Sequence, residues 1–319
     1  MIEHRQIEAN GIKLHVAEAG AGPAVVLCHG WPETWYSWRH QLKALAEAGF
    51  RALAPDMRGY GRSDRPEAIE SYTQLHIVGD MVGLLDALDL PQAVIIGHDW
   101  GAPAAWHSAL MRPDRFRAVA GLSVPYRPRG RISAIDAFKA AGMETLYMMY
   151  FQQPGVAERE FEADVTKSLR RVYYSGSGSL PEGKRWLAFV PPGKGLLDST
   201  FDTAMPLSWL SVEDLAEYVK DFTGSGFRGG LNWYRNLHRN WELMAPFANA
   251  PIPQPSLFLA GSRDGVLRMP GMRTEFGELK KVLPGLRKSV ILDGPGHWVQ
   301  QEAPDPVNAI LIEFLRGLP

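Results

Sequence analysis

Residues 93–106, Ala-Val-Ile-Ile-Gly-His-Asp-Trp-Gly-Ala-Pro-Ala-Ala-Trp, constrain this chain more than any other stretch. An apolar run stops at Gly97, a single acid follows at Asp99, and the small residues Gly101, Ala102, Ala104 and Ala105 lead into a helix. A lone carboxylate in a buried strand-to-helix turn requires an explanation, because burying a charge is costly unless something compensates it. A nucleophile is one such explanation. Taken alone, Asp99 is equally consistent with a helix N-cap.

The surrounding pattern repeats this strand-then-helix logic. Residues 12–18 alternate apolar and polar side chains, the signature of a strand with one solvated face, and a turn follows at 20–23. Ala24 to Cys28 is apolar throughout, as a parallel strand covered on both faces should be, and it ends in His29-Gly-Trp-Pro-Glu33. Trp35, Trp38, Leu42 and Leu45 predict a helix from Thr34 to about Ala48, stopped by Gly49. A third buried run, Phe50 to Pro55, precedes the loop Asp56-Met-Arg-Gly-Tyr-Gly-Arg-Ser-Asp64. Leu75, Val78, Met81, Val82, Leu85 and Leu88 mark one face of a helix within Tyr72–Leu90, and Ala118 to Val124 reads as a further core strand. The alternation implies an α/β fold, a mostly parallel sheet flanked by helices, with its active site at the carboxyl ends of the strands.

The pattern breaks down over residues 131–245, where helix-like segments rich in Tyr, Trp, Phe and Met surround a Pro/Gly loop at 191–195. This reads as an inserted, mainly helical cap. Strand patterns return at Pro255–Gly261 and Ser289–Leu292, separated by a helix around Arg273 to Leu283, and Pro306 to Leu315 forms a terminal helix. The expected core is therefore 1–130 together with 246–319.

Composition removes several functions from consideration. A net charge of -1 gives no footprint for nucleic acid or a membrane surface. The single cysteine, Cys28, excludes an intrachain disulfide and reads as a small core residue. With a polar start and no apolar run near membrane-spanning length, neither a signal peptide nor a transmembrane helix is expected, and the default location is cytoplasmic. The loop 56–64 lacks the glycine spacing and lysine of a phosphate-binding loop, so charge pairs are expected to order it. Gly224-Ser-Gly-Phe-Arg-Gly229 has dinucleotide-binding spacing but follows a helix, Val212 to Phe222, not a strand. No cofactor and no metal site is expected.

Gly97-His-Asp-Trp-Gly101 occupies the register of the nucleophile elbow, normally G-x-S-x-G. A carboxylate with a reference pKa of about 3.9 is ionised at neutral pH without a base, and its natural target is an alkyl carbon bearing a leaving group. The resulting ester must be hydrolysed, which calls for a general base. His297, in Gly294-Pro-Gly-His-Trp298, follows an apolar strand and so shares a sheet edge with Asp99. Asp264, in Gly261-Ser-Arg-Asp-Gly265, ends the preceding strand and is placed to hold the imidazole. The backbone N–H groups of Trp31 and Trp100 are the expected oxyanion donors, with Pro32 fixing the first through a cis bond. His98 is expected to point away from the site, His76, His107 and His238 to be surface or packing residues, and Asp293 to be a strand-end residue.

These motifs resemble those of the α/β-hydrolase-fold epoxide hydrolases, the soluble mammalian and plant enzymes among them. The resemblance runs over nearly the whole chain. It rests on His29–Glu33, Asp56–Asp64, Gly97–Gly101 and Gly296–Trp298, and on two cap segments, Tyr147-Met-Met-Tyr-Phe-Gln-Gln-Pro-Gly155 and Gly226-Phe-Arg-Gly-Gly-Leu-Asn-Trp-Tyr-Arg-Asn236. It implies that Tyr147 and Tyr234 donate hydrogen bonds to an epoxide oxygen, with Tyr150, one helical turn on, as the alternative to Tyr147. The substrates it implies are a small apolar epoxide and water, for a monomer or homodimer. Met143, Met148, Met149, Phe151, Trp186, Phe189 and Trp233 are the candidate pocket residues. Two other readings compete: a dehalogenase with the same aspartate, its halide held by Trp31 and Trp100, and a non-catalytic ligand-binding protein on the same fold.

Overall fold

The computed structural model describes residues 1–269 and 278–319. Eight strands, β1 (Glu3–Ala9), β2 (Ile12–Ala19), β3 (Ala24–Cys28), β4 (Arg51–Pro55), β5 (Ala93–His98), β6 (Phe116–Leu122), β7 (Ser256–Gly261) and β8 (Leu286–Leu292), form one sheet in the order β1-β2-β4-β3-β5-β6-β7-β8. β1 and β2 run antiparallel to their neighbours, and all other pairs are parallel. β3 and β5 are buried at every position, which explains why they are apolar up to the terminal His98 of β5. Each Val, Leu or Ile so removed from water contributes roughly 1.5–3 kcal/mol.

Alternate residues of these strands feed two separate cores. Val25, Leu27, Val94 and Ile96 pack against Leu42 and Leu45 of α1 (Arg39–Glu47) and, near the C-terminus, Leu311 and Phe314. Val26, Cys28 and Ile95 pack on the other side against Met81 and Leu84 of α2 (Gln74–Ala87) and Ala102, Ala105 and Trp106 of α3 (Gly101–Met111). The expected helix from Thr34 divides into a 3-10 turn, Trp35–Trp38, capped by Thr34, and α1 proper.

Between β6 and β7 lie α4 (Ala134–Ala140), α5 (Tyr147–Tyr150), α6 (Val156–Glu162), α7 (Val165–Gly176), α8 (Val212–Ser225), α9 (Arg228–Arg235) and α10 (Leu237–Leu243). After β8 come α11 (Val299–Glu302) and α12 (Pro304–Arg316). Residues 278–282 are helical, and the earlier part of the helix expected around Arg273 lies outside the described residues. The segment 224–229 joins the end of α8 to the start of α9 and follows no strand. No helix among the described residues is long and apolar enough to cross a membrane.

Two readings change. β1 was not expected: its outward positions are polar and only Ile7 and Ala9 turn inward, as suits the edge strand it is. In α2, Leu75 is 43% exposed, and the inward face is instead Ile77, Val78, Met81, Leu84 and Leu85 with Asp80 among them. The acid is buried there because Arg58 grips it through two bonds, Nε to Oδ2 at 2.8 Å and Nη2 to Oδ1 at 2.5 Å. The glycine-rich loop is thus held by charge pairs, with Asp56 also 2.7 Å from His15 Nδ1 and accepting the N–H groups of Trp35 and Arg62.

Removing one partner of a buried ion pair leaves the other charge uncompensated, which typically costs about 3–5 kcal/mol. Asp80→Ala, stranding a guanidinium that is 3% exposed, is expected to lower stability by that order in urea denaturation followed by circular dichroism.

Candidate active site

The sheet order places the candidate residues before any side chain is considered. β3 lies between β4 and β5, so the chain leaves β3 to add β4 on one side and returns to its other side with β5. Crevices form at the carboxyl ends of strands where the order reverses in this way. The loop after β3, carrying Trp31, therefore adjoins the turn after β5, carrying Asp99. Ser123 follows β6, Asp264 follows β7 and His297 follows β8, so all lie along one edge.

The turn at Asp99 is a sharp elbow. Asp99 adopts φ 50°, and the chain doubles back so closely that a Cβ on Gly97 would lie 1.8 Å from the Gly101 carbonyl oxygen, and one on Gly101 2.0 Å from that of Cys28. Neither position tolerates a side chain. The Asp99 carboxylate does not cap α3; it accepts the Trp31 N–H at Oδ1 (2.8 Å), and its Oδ2 lies 3.4 Å from His297 Nε2. The Trp31–Pro32 peptide is cis, as expected. The Trp100 N–H follows Asp99 directly, at the N-terminus of α3 where backbone donors lack intrahelical acceptors.

His297 sits between two acids. Its Nδ1 is 3.1 Å from Asp264 Oδ1 and 3.0 Å from Ser123 Oγ. Burial disfavours the charged imidazole, but Asp264 and then Asp99 outweigh it and carry its pKa well above the ordinary value. Burial likewise opposes ionisation of Asp264, and the imidazole outweighs it, holding that carboxyl below the usual range.

A second buried pair stands behind this one. His98 turns away from the cavity, as expected: its Nδ1 is 2.7 Å from Glu33 Oε2, and its Nε2 is 2.7 Å from the His297 carbonyl oxygen. A carbonyl only accepts, so Nε2 carries a hydrogen. Glu33 also accepts the Gly30 N–H and the amides of Gln300 and Gln301. Burial would raise this carboxyl, but His98 and the Gly30 N–H hold it down at about 2. Glu33 therefore anchors the Trp31 loop and, through His98, the His297 loop. Neither role was legible in the sequence, although Glu33 follows the His-Gly-Trp-Pro motif directly. Ser123 was also missed; its φ of 69° marks a second tight turn at a strand end.

From the insertion, Tyr147 and Tyr234 reach a cavity of about 430 Å³ that also takes in Asp99, Asp264 and His297. Their rings meet edge to face with centroids 5.7 Å apart. Burial, with the nearby Asp99 charge, raises both phenols, so both are protonated at neutral pH. Tyr150 is directed elsewhere, donating to Glu160 Oε2 at 2.9 Å. Of the candidate pocket residues, Met143, Trp186 and Phe189 line the cavity, whereas Met148, Met149, Phe151 and Trp233 are not among its lining. Phe151 and Trp233 are buried in the packing around it. Trp31 lines the cavity; Trp100 does not, its ring standing edge-on to Tyr234 with centroids 5.0 Å apart.

An acid at an elbow, a histidine–acid pair and an insertion whose side chains line the same cavity are combined in this chain. The sequence model of the alpha/beta hydrolase fold family matches residues 23–304. Epoxide hydrolase A of Mycobacterium tuberculosis is 45% identical over 98% of this chain and 97% of its own length. Epoxide hydrolase 1 of Siraitia grosvenorii is 42% identical over 99% and 98%. Among solved structures, an epoxide hydrolase from an endophytic Streptomyces superposes with a TM-score of 0.95 at 46% identity, over 99% of this chain and 96% of that one. The chain belongs to the α/β-hydrolase family and, within it, to the epoxide hydrolases; it is an enzyme.

The two anions around His297 yield a signed prediction. Asp99→Asn removes one of them and is expected to lower the His297 pKa, read by NMR titration of its ring. Because the folded pKa is raised, the pair adds stability that is fully present below the unfolded histidine's pKa of about 6.5 and is lost as pH rises through the elevated folded value. The stability difference between wild type and Asp99→Asn is therefore expected to shrink toward alkaline pH.

Proposed function

We propose that the chain hydrolyses small apolar epoxides to vicinal diols through an alkyl ester on Asp99, with residues 131–245 acting as a cap over the site. Oδ1 of Asp99 is held by the Trp31 N–H, which leaves Oδ2 to attack a ring carbon. The C–O bond breaks as the new one forms, and the departing oxygen takes a hydrogen bond and then a proton from the tyrosine pair. Forming the ester removes the negative charge beside His297 and so weakens the imidazole's hold on its proton, which passes to the tyrosine pair and restores the phenol. Neutral His297, oriented by Asp264 and Ser123, then takes a proton from water as the water oxygen attacks Cγ of Asp99. Charge develops on Oδ1, where the N–H groups of Trp31 and Trp100 are the donors. Collapse breaks the Cγ–Oδ2 bond and releases the diol, its departing oxygen taking the proton from His297; the carboxyl, now holding one oxygen from water, gives its remaining proton to the imidazole and restores the resting pair.

The observation that carries this reading is the pair of protonated tyrosines in the same cavity as Asp99. A departing halide needs no proton, while an alkoxide does. Trp31 lines the cavity with a buried indole N–H that has no partner among the described residues, which would suit a halide, but Trp100 is not in the lining to supply a second donor. An inert binding protein has no use for a charged nucleophile 3.4 Å from a histidine.

His297→Gln incubated with styrene oxide is expected to accumulate a mass adduct on the peptide containing Asp99. The double variant Tyr147→Phe/Tyr234→Phe is expected to form that adduct about 10²–10⁴-fold more slowly, the usual contribution of a general acid. Halide release from a chloroalkane with no diol from styrene oxide would instead establish the dehalogenase, and a silent wild type without adduct in the variant would sink the two-step reading.

A further inference from the structure

His297 follows β8, the strand at the edge of the sheet, yet it must act at Asp99 after β5. Three strand spacings of about 4.8 Å separate them, roughly 14 Å. The loop 293–297 crosses that distance without regular structure, passing over the end of β7 so closely that a Cβ on Gly261 would lie 2.3 Å from the Pro295 carbonyl oxygen. The imidazole is useful only if this loop holds one path.

Glu302, the last residue of α11, holds it from beneath. Its Oε2 accepts the Gly296 N–H at 3.0 Å and its Oε1 the Trp298 N–H at 3.0 Å, the residues on either side of His297. Oε2 also accepts the N–H of Gly178, in the insertion just after α7, at 2.7 Å. The His297 N–H itself goes to the Gly176 carbonyl at 2.8 Å. Three consecutive backbone donors are thus committed, two of them to one carboxylate. The two backbones touch so closely that a Cβ on Gly296 would lie 2.4 Å from the Gly178 nitrogen. An acid serving only its own short helix would need the Trp298 N–H alone. This one is drawn into a site where burial pushes its carboxyl up to about 7 against the pull of its three N–H donors.

We propose that Glu302 is a positioning residue for the second half-reaction, holding His297 over Asp99 and locking its loop to the insertion at Gly176–Gly178. The proposal rests on the two-step reading above. The Glu302 carboxylate bonds to Gly178, Gly296 and Trp298 and not to Asp99 or the tyrosines, so alkylation is not expected to depend on it, whereas hydrolysis of the ester depends on where the imidazole places water. A misplacement of about 1 Å can cost on the order of 10²-fold in rate.

Glu302→Gln conserves size but offers one acceptor oxygen, with an NH₂ group turned toward an N–H donor. Rapid-mixing single turnovers with styrene oxide, quenched and followed by mass, separate alkylation from ester hydrolysis; the melting temperature establishes folding. The expected result is unchanged alkylation with ester hydrolysis slowed by about 10²-fold, so that the adduct accumulates in a folded protein. Should Glu302→Gln fail to fold, Glu302→Asp, too short to reach all three donors, is read in the same way. Ester hydrolysis at the wild-type rate, or both phases slowed in parallel, overturns the proposal alone. No adduct in wild type, His297→Gln or Glu302→Gln overturns the two-step reading and this proposal with it.

Discussion

The structure depends on keeping one negative charge where little water reaches it. Asp99 is 8% exposed, and a carboxylate so placed persists only if the protein replaces its hydration. The replacement comes from three directions: the Trp31 N–H on one oxygen, the His297 imidazole near the other, and the N-terminus of α3 beneath. None of these groups belongs to the strand that carries Asp99. The sheet order is thus part of the electrostatics, since only neighbouring parallel strands bring the β3 loop and the β5 turn together.

The same arrangement governs the histidine. Held between Asp99 and Asp264, the His297 imidazole is favoured in its charged form. Under the proposed chemistry it becomes a base only once Asp99 has been neutralised by esterification. The order of events would then follow from charge, with no moving part required. The Glu33–His98 pair reinforces this by gripping the two loops that flank the nucleophile, one through the Gly30 N–H and the other through the His297 carbonyl.

What could be read from the sequence, and what could not, divides along physical lines. β3 and β5 were legible because a strand buried on both faces has almost no polar position to spend, and Asp99 and Asp264 because polar residues follow such strands directly; His297 was legible from its place in the loop after β8, a strand that is itself largely exposed. β1 escaped because an edge strand solvated on its outer positions looks like any polar segment. Glu33, His98, Ser123 and Glu302 act through partners far away in sequence: Gly178 and Glu302 are 124 residues apart. No local spacing encodes such a bond. In the insertion, the choice between Tyr147 and Tyr150 turned on the orientation of a four-residue helix, which composition does not set, and for the same reason Phe151 and Trp233 proved to be packing rather than lining.

The close backbone approaches at Gly97, Gly101 and Gly296 have a consequence for how this enzyme can change. Each of these positions is closed to every other amino acid by a carbonyl or backbone nitrogen within 2.4 Å of where a Cβ would stand. Sequence space is therefore nearly frozen along the reacting edge of the sheet. Met143, Leu180 and Phe189 face the same cavity from the insertion and carry no such restriction. Substitutions there can reshape the cavity for a new substrate, in a laboratory lineage or a natural one, while leaving the elbow and its neighbours intact.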